Sequence, residues 1–126
     1  MNTDEERLND ISGRVIGAAM TISNTLGAGF LEKGYENALV HELRRSGLRV
    51  EQQRPLAVTY DGVIVGEYAA DVIVEGSVIL ELKAVRVVDQ VHVAQCLNYL
   101  KATGMRLCLL LNFGSPRLQV KRIIRD

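Results

Sequence analysis

Apolar residues recur at Leu8, Ile11, Val15, Ile16, Ala19, Met20, Ile22 and Leu26 within an otherwise polar stretch. Steps of three and four put them on one side of a helix, so a helix is expected over 4–26. Asp4 and Glu5 suit its first turn, where an acid meets the positive end of the helix dipole. Gly27 suits the residue that ends it. GAGF then makes a tight connection to a second helix, from about Leu31 to Ser46, with Tyr35, Ala38, Leu39, Glu42 and Leu43 on related faces.

Beyond Gly47 the period changes to two. LRVEQQ and LAVTY read as short strand runs interrupted by Pro55, which implies an edge or a break. Asp61-Gly62 is a hairpin signal. VIVGEYAADVIV and SVILELKAV are the next two strands. Asp89 can cap a third helix over about Gln90–Ala102, closed by Gly104. RLCLLLNF is apolar almost throughout, as in a strand buried on both faces, and LQVKRIIR is a last strand of alternating character. The order is ααβββαββ, an α/β sandwich with a central mixed sheet flanked by helices, in one domain over residues 1–126.

Composition narrows the function. At 126 residues, 48% hydrophobic and 24% charged, the chain is of ordinary globular type. A domain of this length buries roughly two thirds of its unfolded surface. No apolar run reaches the roughly 20 residues of a membrane span. The acidic, polar start MNTDEERLND does not read as a secretory signal, so the expected compartment is the cytoplasm. Cys96 and Cys108 lack metal-ligand spacing and read as free core thiols. A net charge of zero argues against a strongly basic nucleic-acid coat, and 5% aromatics against a base-stacking platform.

One hairpin departs from this plain pattern. YAADVIVEGSVILELKAV is built of Val, Ile and Leu, yet carries Asp71 in one arm and Glu81 and Lys83 in the other. Glu81 and Lys83, two apart, share a face. A three-residue turn at Glu75-Gly76-Ser77 pairs Val74 with Val78 and sets Asp71 opposite Glu81. A two-residue turn slips the register by one and sends the acids to opposite faces. Facing carboxylates repel unless a cation lies between them, and hard oxygen ligands suit Mg²⁺ or Mn²⁺. The plain reading is a charged solvent face.

Asp71 followed after nine residues by ELK at 81–83 resembles the core signature of the PD-(D/E)XK phosphodiesterase superfamily, with Ala70 in place of its proline. GFLEKGY at 29–35 resembles the motif of the GxxExxY protein family, a branch of that superfamily, through Gly29, Glu32 and Tyr35. AQCLNYLKATG at 94–104 and LLLNFGSPRLQVKRI at 109–123 are also similar to that branch. The resemblance implies a restriction-endonuclease-like sandwich and a metal-dependent nuclease acting on DNA or RNA. It implies Asp71, Glu81 and the Leu82 carbonyl as ligands of Mg²⁺ or Mn²⁺. Lys83 would position the attacking water or steady the transition state, and Glu32 would complete the acidic cluster. Gln95, on one helical face with Tyr99, resembles a QxxxY element that orients Lys83 or meets the backbone of the nucleic acid. Tyr35 and Tyr99 are the expected substrate contacts.

Several residues have competing readings. Glu32 is also a first-turn acid, Gln95 a solvated polar residue and Tyr99 a packing residue. Gly27 and Gly29 could bind an anion at a helix N-terminus or simply make a turn. Arg44, Arg45, Arg49 and Arg54 form a solvated face or a phosphate contact. His41 is expected to face solvent, and His92 to border the site. Two rivals to the nuclease remain: a non-catalytic module that binds nucleic acid or protein through the same fold, and a homo-oligomer joined through the first helix.

Overall fold

The computed structural model describes residues 3–125. The chain runs α1 (Thr3–Leu26), α2 (Glu32–Arg45), β1 (Val50–Tyr60), β2 (Val63–Val74), β3 (Val78–Lys83), α3 (Gln90–Thr103), β4 (Leu107–Asn112) and β5 (Gln119–Ile124). The expected order ααβββαββ holds. The strands form one sheet in the order β1-β2-β3-β4-β5. Only β3 and β4 are parallel; the other neighbours are antiparallel.

Each helix follows from its sequence. In α1 the residues Leu8, Ile11, Val15, Ala19 and Ile22 form a buried stripe. They pack with Tyr35, Leu39 and Leu43 of α2 on one face of the sheet. The apolar stripe of α1 is thus buried within its own chain. On the other face α3 contributes Cys96, Tyr99 and Leu100. The Asp89 side chain caps α3 by accepting the Val91 N–H at 2.9 Å, and His92 Nδ1 accepts the Asp89 N–H at 3.1 Å. Gly104, with φ 74°, closes the helix in the left-handed conformation.

Strand β4 is buried throughout. Leu107, Leu109 and Leu111 face α1 and α2, whereas Cys108 and Leu110 face α3. Cys96 and Cys108 are both free and buried, as expected. Pro55 does not break β1, which is one continuous edge strand with Pro55 opposite Ala69. Asp61 (φ 52°) and Gly62 (φ 77°) make the expected two-residue turn between Tyr60 and Val63.

Strand register positions the charged residues. Glu75 (φ 53°), Gly76 (φ 60°) and Ser77 form a three-residue turn, and the Ser77 N–H returns to the Val74 carbonyl at 3.0 Å. Arg7 of α1 pins this turn, donating to Ser77 Oγ at 2.6 Å and the Glu75 carbonyl at 3.2 Å. Val74 therefore pairs with Val78, Ile73 with Ile79 and Val72 with Leu80. The ladder stops there, one step before Asp71. Beyond it β2 stays with β1 as a two-stranded ribbon, while β3 continues beside β4.

The segment after Lys83 is held by the buried Asn112. Its Oδ1 accepts the Val85 N–H at 3.0 Å and the Gly114 N–H at 2.9 Å, while its Nδ2 donates to the Val85 carbonyl at 2.8 Å. A Cβ on Gly114 would overlap the Val85 backbone nitrogen and oxygen. Gly114→Ala is therefore expected to destabilise the fold by about 1–3 kcal/mol, as overpacking does. Thermal unfolding of this variant should show a melting temperature lowered by roughly 5 °C or more.

Candidate active site

Where β2 leaves β3, two carboxylates take over the work of the backbone ladder. In an extended strand the N–H and C=O of one residue point to the same edge. Leu82 N–H points toward β2 but finds no carbonyl there; it donates instead to Asp71 Oδ2 at 2.9 Å. In return Asp71 N–H donates to Glu81 Oε2 at 3.2 Å. The three-residue turn has set Asp71 opposite Glu81, and this exchange locks the two acids together. The Leu82 carbonyl lies on that same strand edge.

The break extends into β1. Gln53 and Asp71 are skipped between the pairs Gln52↔Val72 and Arg54↔Ala70. Gln53 has φ 53°, a left-handed backbone rare for a residue with a Cβ. Alternation is lost at the same level: Val72 packs toward α1 and α2, yet Ala70, two residues away, packs toward α3. Such local irregularity re-aims side chains.

Burial makes Glu81 unusual. Its side chain is 2% exposed. Desolvation, then a side-chain hydrogen bond with Asp71 and the Asp71 charge, push its pKa up to about 10, against the opposing Asp71 N–H. With no cation present, Glu81 is thus a neutral acid at pH 7. Lys83 shares its face and, half-buried, lines a cleft against α3.

Glu32, the first residue of α2, is close enough to feel Lys83, Asp71 and His92 electrostatically. Burial raises its carboxyl, the Lys83 ammonium opposes that, and Asp71 and Glu36 reinforce it. The raised pKa marks a partly buried carboxyl rather than a fully solvated one. Gln95 Nε2 donates to Tyr99 Oη at 3.1 Å, and both line the cleft with Lys83 and His92. Burial raises the Tyr99 hydroxyl pKa, with the Gln95 hydrogen bond opposing. Asp71, Glu81, Leu82, Lys83, Glu32, Gln95 and Tyr99 therefore converge on one region.

Tyr35 does not join them, which corrects its expected role as a substrate contact. It is fully buried: its hydroxyl donates to the Gly27 carbonyl at 2.5 Å and accepts the Phe30 N–H at 3.2 Å. Its ring stacks on Phe113 at 4.8 Å. Tyr35 thus ties the α1–α2 turn to the core, and the GxxExxY spacing serves structure at this position. The arginines are also satisfied elsewhere. Arg45 pairs with Glu42, Arg49 with Glu75, Arg54 with Glu51, and Arg44 donates to the Val50 carbonyl.

Sequence reasoning missed Glu36 and Gln53. Glu36 is 2% exposed and charged. Burial raises its pKa, but hydrogen bonds from Lys33, Gln52 and Gln53 outweigh that and leave it below the ordinary carboxylate value. Gln53 Nε2 donates both to Glu36 Oε1 at 2.9 Å and to Asp71 Oδ1 at 3.4 Å. Glu36 thereby supports Asp71 through Gln53. Its place one turn beyond Glu32 was the only signal in the sequence.

The oxygens present suit a hard cation. No group of three His, Cys, Asp or Glu side chains among the described residues could hold a metal ion. The fitting donor set is two carboxylates, Asp71 and Glu81, with the Leu82 carbonyl on the same strand edge. Either a proton or a dication relieves the repulsion between the acids, and the raised Glu81 pKa measures that repulsion together with burial.

The pH dependence follows. Below about pH 4.5 Glu81 is protonated in both folded and unfolded chains. From there up to about 10 the unfolded chain releases a proton that the folded chain keeps, so rising pH weakens the fold. Glu81→Gln removes this term. In chelator, denaturant unfolding should show the variant more stable than wild type at pH 8, by on the order of a few kcal/mol, and no difference near pH 4.

Comparison with known proteins agrees with this geometry. A family model described as the PD-(D/E)XK nuclease superfamily matches residues 9–123. The fold is also similar to the crystal structure of an alkaline exonuclease from Laribacter hongkongensis, with a TM-score of 0.50 and 13% sequence identity. That likeness covers 86% of this chain and 76% of the other, and it is a likeness of fold. No curated protein matches in sequence. The match over most of the chain shows that the chain belongs to the PD-(D/E)XK nuclease superfamily.

Proposed function

We propose that the chain is a Mg²⁺- or Mn²⁺-dependent nuclease of the GxxExxY branch, acting as one domain on DNA or RNA. The observation that carries this reading is the exchange of Asp71 and Glu81 for ladder partners, with Lys83 one face-step further along β3. Nucleases of this superfamily generally use divalent metals. Gly29, Glu32 and Tyr35 support the branch, with Tyr35 in a structural role. Among the described residues no helix is long and apolar enough to cross a membrane. The cytoplasm is the compartment we propose.

In this reading Asp71, Glu81 and the Leu82 carbonyl hold the cation, which supplies charge neutralisation at the scissile phosphate. Glu32 adds negative charge beside that donor set. Lys83 Nζ positions the attacking water and offsets charge on the phosphate oxygens as water adds in line. The phosphorus–oxygen bond to one sugar breaks, and that sugar leaves as an alcohol, with its proton drawn from the water. Gln95, held by Tyr99, faces Lys83 across the cleft and fixes its reach.

Labelled DNA and RNA should be cleaved in Mg²⁺ or Mn²⁺ and remain intact in chelator. Lys83→Ala should slow cleavage by about 10²–10³-fold, and Asp71→Asn should abolish it and weaken Mn²⁺ binding in calorimetry. Clean protein that cleaves no nucleic acid with either metal would leave the non-catalytic binding module as the better description.

A further inference from the structure

A cleft of about 1020 Å³ runs from Lys83 between α3 and the free end of the β1–β2 ribbon. The ribbon forms one wall, where a register shift between Val58 and Thr59 marks a bulge. Its floor is aromatic: the Tyr68 and Tyr99 rings stand 6.3 Å apart, tilted by 51°. Tyr68 is 53% exposed although Tyr99 is buried, so Tyr68 presents much of its surface to solvent at the cleft. Lys83 stands at one end and Lys101 further along α3, with Asn98 between them. Among the described residues, no Asp or Glu lines it.

That lining is unusual for this chain. Acidic and basic residues number 15 each over the whole sequence. In the basic cluster Arg45, Arg49 and Arg54 are paired with carboxylates, and Arg44 donates to a backbone carbonyl. The cleft instead joins cationic side chains to apolar and aromatic surface. An anion with flat apolar faces fits such a surface, and a nucleic acid whose bases are unpaired is one. In a duplex those faces are stacked and hidden. Aromatic residues are few, but two of the four tyrosines meet here. Composition argued against a stacking platform, yet these two rings meet within one cleft.

We propose that this cleft binds single-stranded nucleic acid beside the scissile phosphate. A base stacks on the exposed Tyr68, Lys101 contacts a phosphate of the strand, and Asn98 offers hydrogen bonds to base edges or sugar. The strand runs along α3 toward Lys83. This rests on the nuclease reading for its direction, but binding itself needs neither metal nor cleavage.

The test is fluorescence anisotropy in chelator with labelled oligonucleotides of about 12 residues. The probes are single-stranded DNA, single-stranded RNA and the matched duplexes, at roughly 50 and 200 mM salt. Single strands should bind at least about tenfold tighter than duplex. Tyr68→Ala should weaken binding by about tenfold, and Tyr68→Phe should retain it. Lys101→Ala, at an exposed helix position, should weaken binding and reduce the salt slope by about one phosphate contact. The two single-strand arms show whether a 2′-hydroxyl is read. Equal affinity for duplex, or no loss in folded Tyr68→Ala and Lys101→Ala, overturns the cleft assignment, even for an active nuclease. Tyr68-dependent binding without any cleavage upholds the cleft and overturns only the catalytic reading.

Discussion

The branch point between β2 and β3 governs the arrangement around it. A sheet tolerates the parting of two neighbouring strands only where their freed backbone groups find other partners. Here Asp71 supplies an acceptor to Leu82 N–H, and Glu81 supplies one to Asp71 N–H. Two carboxylates are thereby drawn into a semi-buried gap where solvent cannot separate their charges. The same parting frees the β1–β2 ribbon to cross toward α3, where Tyr68 meets Tyr99. Site and cleft are consequences of one departure from regular pairing.

Such a departure needs support on every side. Arg7 and Ser77 fix the turn that sets the register, so Asp71 falls opposite Glu81. Glu36 and Gln53 brace Asp71 from α2 and β1. Asn112 and Gly114 hold the chain immediately after Lys83. Gln53 adopts a left-handed backbone that costs about 1 kcal/mol or more for a residue with a side chain. Strain of this kind persists where the surroundings over-determine it, and here it lies directly across the ladder gap from Asp71.

Much of this was legible in the chain. Regular elements came from periodicity because each buries a continuous stripe: the α1 residues Leu8 to Ile22 and the unbroken apolar run of β4 are physical requirements of their positions. Asp71, Glu81 and Lys83 stood out because charge in a Val- and Ile-rich hairpin contradicts its surroundings. What stayed hidden depends on distant contacts. Glu36 looks like any helical glutamate until Gln52 and Gln53, on another element, close over it. Tyr35 looked functional because its motif is spaced like Glu32, yet the helix turns its ring inward onto Phe113. Register was the intermediate case: two turn lengths were open, and Arg7, nearly seventy residues away, helps hold the one adopted.

Charge distribution links the site to the cleft. A neutral chain cannot attract a polyanion by its overall field, so affinity must come from local arrangement. The carboxylates that would repel phosphate are gathered at one end, where burial and the neighbouring Asp71 hold Glu81 in its neutral form. Among the described residues the cleft beyond is lined by no acid, and its lysines stand apart, Lys83 at the end of β3 and Lys101 on α3. A strand in the cleft would therefore meet its repulsion at that end, from Asp71 and Glu32. A dication held there would lower that repulsion, so in the reading proposed above metal and nucleic acid would favour each other's binding, a coupling that is reciprocal by linkage.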